Sequence, residues 1–200
     1  MQGDDMQAKG RETRHHILKE SRKLFTRQGF RTTSISEIII ATGVKKGNLY
    51  YHFPSKEELG LAVLIDVRNE FFILLDNSMT GENPIVRILN SCNAILAMME
   101  QNNFVGGCLF GNTALEMTDS NSRFGRIIQE VFSQWKSRVE RELRQASALG
   151  LFESPIPANA LATAIIATLE GGIMLSRVYK NKNGIEDCIL AIRVLLEKQE

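Results

Sequence analysis

A short segment near the middle of the N-terminal third carries side chains that can bind an anionic polymer. Lys45, Lys46, Asn48, Tyr50 and His52 follow one another closely in the sequence. Lysine, tyrosine and histidine can donate to phosphate oxygens, and asparagine can form two hydrogen bonds with the edge of an adenine. Because the segment is too short and too polar to form a core element alone, neighbouring elements must position it.

Two helix-start signals flank this segment. Ser34 precedes Glu37 by three residues, which is the spacing of a capping box, and Ser55 stands in the same relation to Glu58. Between them, Gly43 can take the left-handed conformation that ends a helix. The sequence therefore predicts a helix, a glycine turn and a second helix, which is the helix-turn-helix arrangement whose second helix enters the major groove of DNA.

The stretch from Thr33 to Leu59 resembles the DNA-binding signature of the TetR family of bacterial transcriptional regulators. Many positions agree in fixed order along the segment TGVKKGNLYYHFPSKEEL, residues 42–59. The sequence departs from the family at Lys45, where a serine or threonine often caps the recognition helix. This departure predicts a weaker cap and adds a positive charge.

The resemblance implies a set of DNA contacts on this segment and at the start of the preceding helix. Lys46, Tyr50 and His52 match family positions that contact phosphates. The predicted base-edge or groove-floor residues are Lys45, Gly47, Asn48 and Tyr51. For Thr33 a role in capping alone is the alternative. The implied contacts are Thr33, Ser34, Lys45, Lys46, Gly47, Asn48, Tyr50, Tyr51, His52 and Lys56.

The formal net charge of +1 conceals an asymmetry along the chain. Residues 9–56 hold eleven Lys or Arg against three acids, a net charge of +8, so the remaining residues carry −7. This division favours an anion-binding N-terminal region joined to a mildly acidic C-terminal domain, residues 55–200, here called the body. A solvated basic surface is the alternative.

Hydrophobic periodicity predicts an all-α fold of about nine helices. After a polar, disordered start, the first helix is expected from near Arg11 to Gln28, and Leu49 and Phe53 are expected in the core. A long helix from Ser55 to about Met79 would join an N-terminal three-helix bundle, residues 1–54, to a C-terminal sensing and dimerisation domain, residues 55–200. Further helices are predicted near residues 84–100, 108–117, 122–149, 158–179 and 185–197.

The last two predicted helices carry apolar strips that favour a homodimer interface. Small residues let helix backbones approach closely, and a symmetric four-helix interface would bury both strips. A seam inside one chain is the alternative. The predicted interface residues are Ala164, Ala167, Thr168, Gly171, Gly172, Ile189, Ile192 and Leu196.

Methionine and aromatic residues of the body are candidates for a pocket that binds a small-molecule inducer, whose identity the sequence does not reveal. Ordinary core packing is the alternative for each of them. The candidates are Phe71, Met98, Met99, Phe104, Cys108, Phe110, Met117, Trp135 and Met174.

Cys108 carries a second hypothesis. The segment Gly106 to Asn112 resembles a TetR subgroup that includes electrophile-responsive regulators, in which such a cysteine is the reactive thiol. A thiol near helix N-terminal amides has a lowered pKa and reacts as a thiolate. A buried, inert thiol is the alternative, and Cys92 and Cys188 are predicted to be core residues.

Composition argues against several other classes. Three irregularly spaced cysteines form neither a disulfide framework nor a zinc site, no cofactor motif is present, and the N-terminus lacks an apolar signal region. No apolar run is judged long enough for a membrane span, so a cytoplasmic location is expected. No nucleophile motif or phosphate-binding glycine loop indicates an enzyme.

The sequence thus predicts a homodimeric repressor that binds a palindromic operator and is released by a small molecule, electrophile or oxidant. The alternatives are activation or non-metabolite control by the same DNA-binding helix, and a small-molecule carrier. A carrier would not show salt-sensitive binding to duplex DNA.

Overall fold

The computed structural model describes residues 2–197, so Met1 and residues 198–200, which end the predicted domain ranges, lie outside it. Within the described range the chain forms nine α-helices and no strand, which confirms the all-α prediction. The helices are α1 (Gln2–Gln28), α2 (Ile35–Thr42), α3 (Lys46–His52), α4 (Lys56–Ser78), α5 (Pro84–Gln101), α6 (Leu109–Met117), α7 (Ser122–Ala148), α8 (Ala158–Tyr179) and α9 (Asn183–Leu196).

The first helix is longer than the sequence suggested. α1 begins at Gln2, so the prediction of a disordered start as far as Lys9 is wrong. Gln7, Ala8 and Lys9 are good helix formers, and a single glycine such as Gly10 weakens a helix without ending it. A polar composition is therefore compatible with helix here, and Gln7 and Lys9 are exposed to solvent.

Two apolar clusters form the core. The first unites α1, α2, α3, α4, α6 and part of α7, with Ile17, Leu49 and Leu59 at its centre. The second unites α5, α7, α8 and α9 around residues such as Trp135 and Ile165. Four partly buried side chains pack against both clusters: Phe71, Phe72, Cys108 and Phe132.

The helix starts agree with the sequence at α2 and differ at α4. Ser34 accepts from the Glu37 amide and Glu37 accepts from the Ser34 amide, so the first capping box is complete. Ser55 accepts from the Glu58 amide, but the Glu58 carboxylate pairs with Arg123 of α7 instead of closing a second box. The guanidinium lowers the pKa of Glu58. This pair ties the start of α4 to the body.

One helix is long and apolar enough to cross a membrane by length and composition. This helix is α8, whose most apolar window has a mean hydropathy of 1.5, so the prediction that no apolar run reaches that length is wrong. One face of α8 is buried in the second core cluster through Leu161, Ile165 and Leu169. A core helix of a globular domain passes the same test.

Half of the predicted dimer strip lies inside the chain. Ile189, Ile192 and Leu196 are buried against α5 and α8 in the second cluster, so their prediction as interface residues is wrong. Gly172 is also internal, because a Cβ there would lie 2.9 Å from the Ile185 Cα. The small-residue contact therefore joins α8 to α9 of one chain, the alternative that the sequence left open.

Candidate nucleic-acid interface and sensing region

The recognition helix α3 is held by two buried side chains. Leu49 is 1% exposed and Phe53 is 3% exposed, which confirms both as core residues. Arg14 of α1 stacks over the Phe53 ring, with its guanidinium carbon 4.9 Å from the ring centroid. Because one face of α3 is anchored in this way, its opposite face is presented to solvent.

The solvent face of α3 carries most of the predicted DNA contacts. Lys45, Lys46, Asn48 and Tyr51 are exposed, and His52 is half-buried. Lys45 occupies the N-cap position and makes no side-chain capping hydrogen bond, as its type predicts. Tyr50 and Gly47 are exposed on the same helix, and a Cβ at Gly47 would meet no atom within 4 Å.

Two of the predicted contacts are used inside the protein. The Thr33 side chain is fully buried, and its hydroxyl donates to the Gly29 carbonyl at 2.7 Å. The Lys56 ammonium donates to the carbonyls of Phe30 and Thr33, each at 2.9 Å. Both side chains hold the turn before α2. The prediction that Thr33 contacts DNA is wrong because the residue is fully buried, whereas Lys56 is half-buried and its contact with DNA stays a prediction. Ser34 is exposed but its hydroxyl serves the capping box.

Sequence reasoning missed a basic cleft beside α3. It has a volume of about 420 Å³ and lies between the first turns of α1 and the end of α3. Arg11 is exposed on this surface. The i, i+3, i+4, i+7 spacing of Gln7, Gly10, Arg11 and Arg14 places them on one helical face. This spacing could have predicted the cleft if α1 had been extended to Gln2. The cleft is lined by Gln7, Gly10, Arg11, Arg14, Tyr51 and His52.

The structure brings some of the predicted pocket residues together. The Phe71 ring lies 5.1 Å from the Trp135 ring and 5.9 Å from the Phe110 ring, at the seam between the two clusters. Met99 lies in the second cluster with Met98 and Phe104 packed against it, whereas Met117 belongs to the first. Met174 is 59% exposed on the outer face of α8, so its prediction as a pocket residue is wrong.

The surroundings of Cys108 disfavour ionisation of its thiol. It caps α6 by accepting from the Gly111 amide at 3.4 Å, as the sequence suggested. Burial and the neighbouring Glu170 carboxylate nevertheless raise the pKa of the Cys108 thiol well above its ordinary value. The premise of a lowered pKa is therefore wrong. Burial likewise raises the pKa of Cys92 to about 12, and Cys188 is half-buried beside Gly172.

Glu170 of α8 is the acid that sequence reasoning overlooked. Its carboxyl lies beside Cys108 and Gly111, and its Oε1 atom is buried without a hydrogen-bond partner among the described residues. Burial raises the pKa of this carboxyl. A carboxyl of this kind is costly to ionise, because charge in a low-dielectric site lacks compensation.

Glu170→Gln should change how thermal stability depends on pH. Because the folded pKa of Glu170 is raised, its stabilising contribution is complete below its ordinary value of 4.5 and is lost as pH rises through the folded value. The amide cannot ionise, so the melting temperature of the variant should rise relative to that of wild type when the pH is raised from 4.5 to about 8. Scanning calorimetry at both pH values measures this, and parallel changes in the two proteins would contradict it.

Among the described side chains, no group of three or more His, Cys, Asp or Glu residues could hold a metal ion. The arrangement is instead that of a surface for a polyanion joined to an apolar body.

Two family models cover most of the chain. The model described as "Bacterial regulatory proteins, tetR family" matches residues 17–63, which span α2, α3 and the start of α4. The model described as "Tetracyclin repressor-like, C-terminal domain" matches residues 84–192, more than half of the chain.

Individual relatives agree over nearly the full length. A helix-turn-helix transcriptional regulator from the lacX 3′ region of Lactococcus lactis is 28% identical over 193 residues, covering 94% of this chain and 95% of the relative. The transcriptional repressor DhaR of a Mycobacterium species is 24% identical, covering 90% and 89%. A TetR regulator structure from Chloroflexus aurantiacus superposes with a TM-score of 0.86 at 30% identity, covering 94% and 95%.

These relatives are DNA-binding regulators, which confirms the prediction of a transcriptional regulator and not an enzyme. The chain belongs to the TetR family of bacterial transcriptional regulators.

Proposed function

We propose that this protein is a cytoplasmic, homodimeric repressor that binds a palindromic operator and leaves it when a small molecule binds the body. Residues 1–54 act as the DNA-binding domain and residues 55–200 as the sensing and dimerisation domain. The observation that carries the proposal is the exposed, basic face of α3 opposite its buried Leu49 and Phe53 anchors.

On this proposal α3 lies in the major groove. Asn48 and Lys45 face base edges, and Lys46 and Tyr50 contact phosphates on either side. Gly47 lets the helix backbone approach the groove floor, since it has no side chain and a Cβ there would meet no atom within 4 Å in the free protein. Contact with DNA is thus the reason for a glycine at a position where the fold itself tolerates a side chain.

The basic cleft adds contacts that the recognition segment alone does not supply. Arg11 of α1 is exposed next to Tyr51 and His52 at the end of α3. A phosphate that lies between these elements would receive donors from both. The cleft is continuous with the α3 surface, and its positive charge complements the DNA backbone.

The dimer forms through the outer faces of α8 and α9. Three residues of the original strip, Ala164, Ala167 and Gly171, are not buried in the chain, and Thr168 is half-buried beside them. Large exposed apolar side chains continue this face, and solvent exposure of so many is unfavourable in a monomer. They are Met174, Leu175, Val178, Leu190, Val194 and Leu195.

The inducer binds at the seam where Phe71, Phe110 and Trp135 meet. Aromatic rings there form an apolar wall between the two core clusters, so a ligand that separates them would shift α4, α6 and α7. Only a ligand with different affinities for the two arrangements can change DNA affinity. Membership of the electrophile-responsive subgroup stays a prediction.

Two substitutions on α3 test the proposed DNA contacts. Lys46→Ala should weaken binding to every duplex by about tenfold and reduce the salt slope by about 1 per protomer, because a phosphate contact is lost. Asn48→Ala should relax preference at one base pair in each half-site, with a loss of about 1–3 kcal/mol of discrimination. Fluorescence anisotropy on a duplex selected from a random library by the wild-type protein measures both effects.

Glu140→Ala is the control and should change neither quantity, because Glu140 lies on α7, pairs with Arg144 and is outside the predicted DNA contacts. If Lys46→Ala kept both the wild-type affinity and the wild-type salt slope, the placement of α3 in the groove would be refuted.

A further inference from the structure

The loop between α1 and α2, residues 29–33, is gripped by a carboxylate of the body. Glu116 on α6 accepts from the Phe30 amide through Oε2 at 2.9 Å and from the Arg31 amide through Oε1 at 2.8 Å. Both oxygens of one side chain therefore hold consecutive backbone amides of the N-terminal domain. Hydrogen bonds to an ionised acceptor are shorter and stronger than neutral ones.

The carbonyls of the same loop are held from another helix. Lys56 on α4 donates to the carbonyls of Phe30, Arg31 and Thr33 at 2.9, 3.3 and 2.9 Å. Its ammonium also lies 4.5 Å from the centroid of the Phe30 ring. The loop is thus fixed on its donor side by α6 and on its acceptor side by α4.

The contacts that Glu116 and Lys56 make with the loop form a clamp, and the space around it is closely packed. Gly29 has a φ of +92°, and a Cβ there would lie 2.8 Å from Glu116 Oε1, so only glycine fits the carboxylate against the backbone. The Phe30 ring packs 4.9 Å from that of Phe124 on α7. A Cβ at Gly60 of α4 would come within 2.5 Å of the Phe30 ring. The loop therefore has little free space in which to change its orientation relative to the body.

The opposite end of α6 lies at the sensing region. Cys108 caps the helix and touches Glu170, while Asn112 accepts from Arg177 of α8 at 3.0 Å. A nine-residue helix is about 13 Å long. A rigid element of that length therefore joins the seam of the two core clusters to the loop that leads into α2.

We propose that Glu116 is a positioning residue that fixes the angle of the helix-turn-helix on the body, and so sets the distance between the two recognition helices of the dimer. This inference rests on the proposed DNA-binding function. Glu116 contacts no DNA. It acts through the backbone of Phe30 and Arg31, and displacement of α6 would be felt at α2 through these two hydrogen bonds.

Operator spacing separates positioning from mere stabilisation. The probes are the duplex that the wild-type protein selects from a random library and two versions with one base pair added or removed at its centre. Wild type should strongly prefer the original spacing. Glu116→Gln, whose amide offers one acceptor oxygen in place of two, should lose about fivefold or more of this preference, the lower end of typical coupling effects.

Glu142→Gln is the matched control. Glu142 is a buried carboxylate on α7 that pairs with Arg87 and Arg141, far from the loop. This variant should keep the spacing preference even though it weakens two ion pairs. If Glu116→Gln instead weakened binding to all three duplexes by one common factor, its role would be structural only and the inference would be overturned.

A measurement without DNA keeps the inference separate from the proposed function. A spin label is placed at exposed Ala41 of α2 in a background without Cys92, Cys108 and Cys188. Pulsed electron resonance then measures the distance between the two helix-turn-helix motifs of the dimer. Glu116→Gln should broaden the distance distribution and Glu142→Gln should not. An unchanged distribution in Glu116→Gln overturns the inference, whereas a wild-type protein that selects no duplex refutes the proposed function.

Discussion

Val178→Glu together with Leu190→Glu is expected to give a folded monomer that binds the selected duplex at least about 100-fold more weakly than wild type. Both residues are large, apolar and exposed, at 65% on α8 and 58% on α9. In the proposed dimer each glutamate would be buried without a partner, which is costly. A monomer also loses the second half-site contact, which becomes a separate binding event. Sedimentation velocity and anisotropy measure the two effects.

Ile73→Glu provides the control for the dimer prediction. Ile73 is 61% exposed on α4, outside the proposed interface, so the same change there should leave the dimer intact. A double variant that still sedimented as the wild-type dimer would refute the proposed interface. Because neither substituted side chain is buried within the chain, loss of folding is not expected to account for the result.

Gly47→Leu is expected to abolish sequence-specific binding, with a loss of about 100-fold or more, while the fold is unaffected or slightly more stable. A side chain at Gly47 meets no atom within 4 Å in the free protein, and leucine favours helix more than glycine by up to about 1 kcal/mol. On DNA the same side chain would hold the α3 backbone away from the groove floor. Thermal unfolding and anisotropy together separate stability from binding.

Ala97→Leu on the exposed side of α5 is the matched control and should change neither property. Full binding by Gly47→Leu would mean that α3 does not approach the groove at this position.

The sequence was most informative where local rules decide the structure. The Ser34–Glu37 capping box and the left-handed Gly43 depend on a few adjacent residues, so they could be predicted and are present. The family signature predicted the recognition helix α3 in the same way. Leu49 and Phe53 followed because apolar residues within a polar segment have few alternatives to the core.

The errors arose where long-range contacts decide the role of a side chain. Thr33 looks like a DNA contact in a basic segment, but the turn before α2 buries it and uses its hydroxyl. Met174 and Ile192 are equally apolar in sequence, and only the packing of α8 on α9 places one outside and the other inside. The Glu116 clamp joins residues 85 and 86 positions apart, which no local pattern reveals.

The salt dependence of duplex binding tests the central claim most directly. The wild-type affinity for its selected duplex should fall steeply as salt rises. A plot of log affinity against log salt should have a slope of about −4 or more negative, because the two basic helix-turn-helix motifs of the dimer release counterions from phosphates. The selected sequence should be palindromic, with two chains bound per duplex. Selection of no sequence, or an affinity that does not change with salt, would contradict the account.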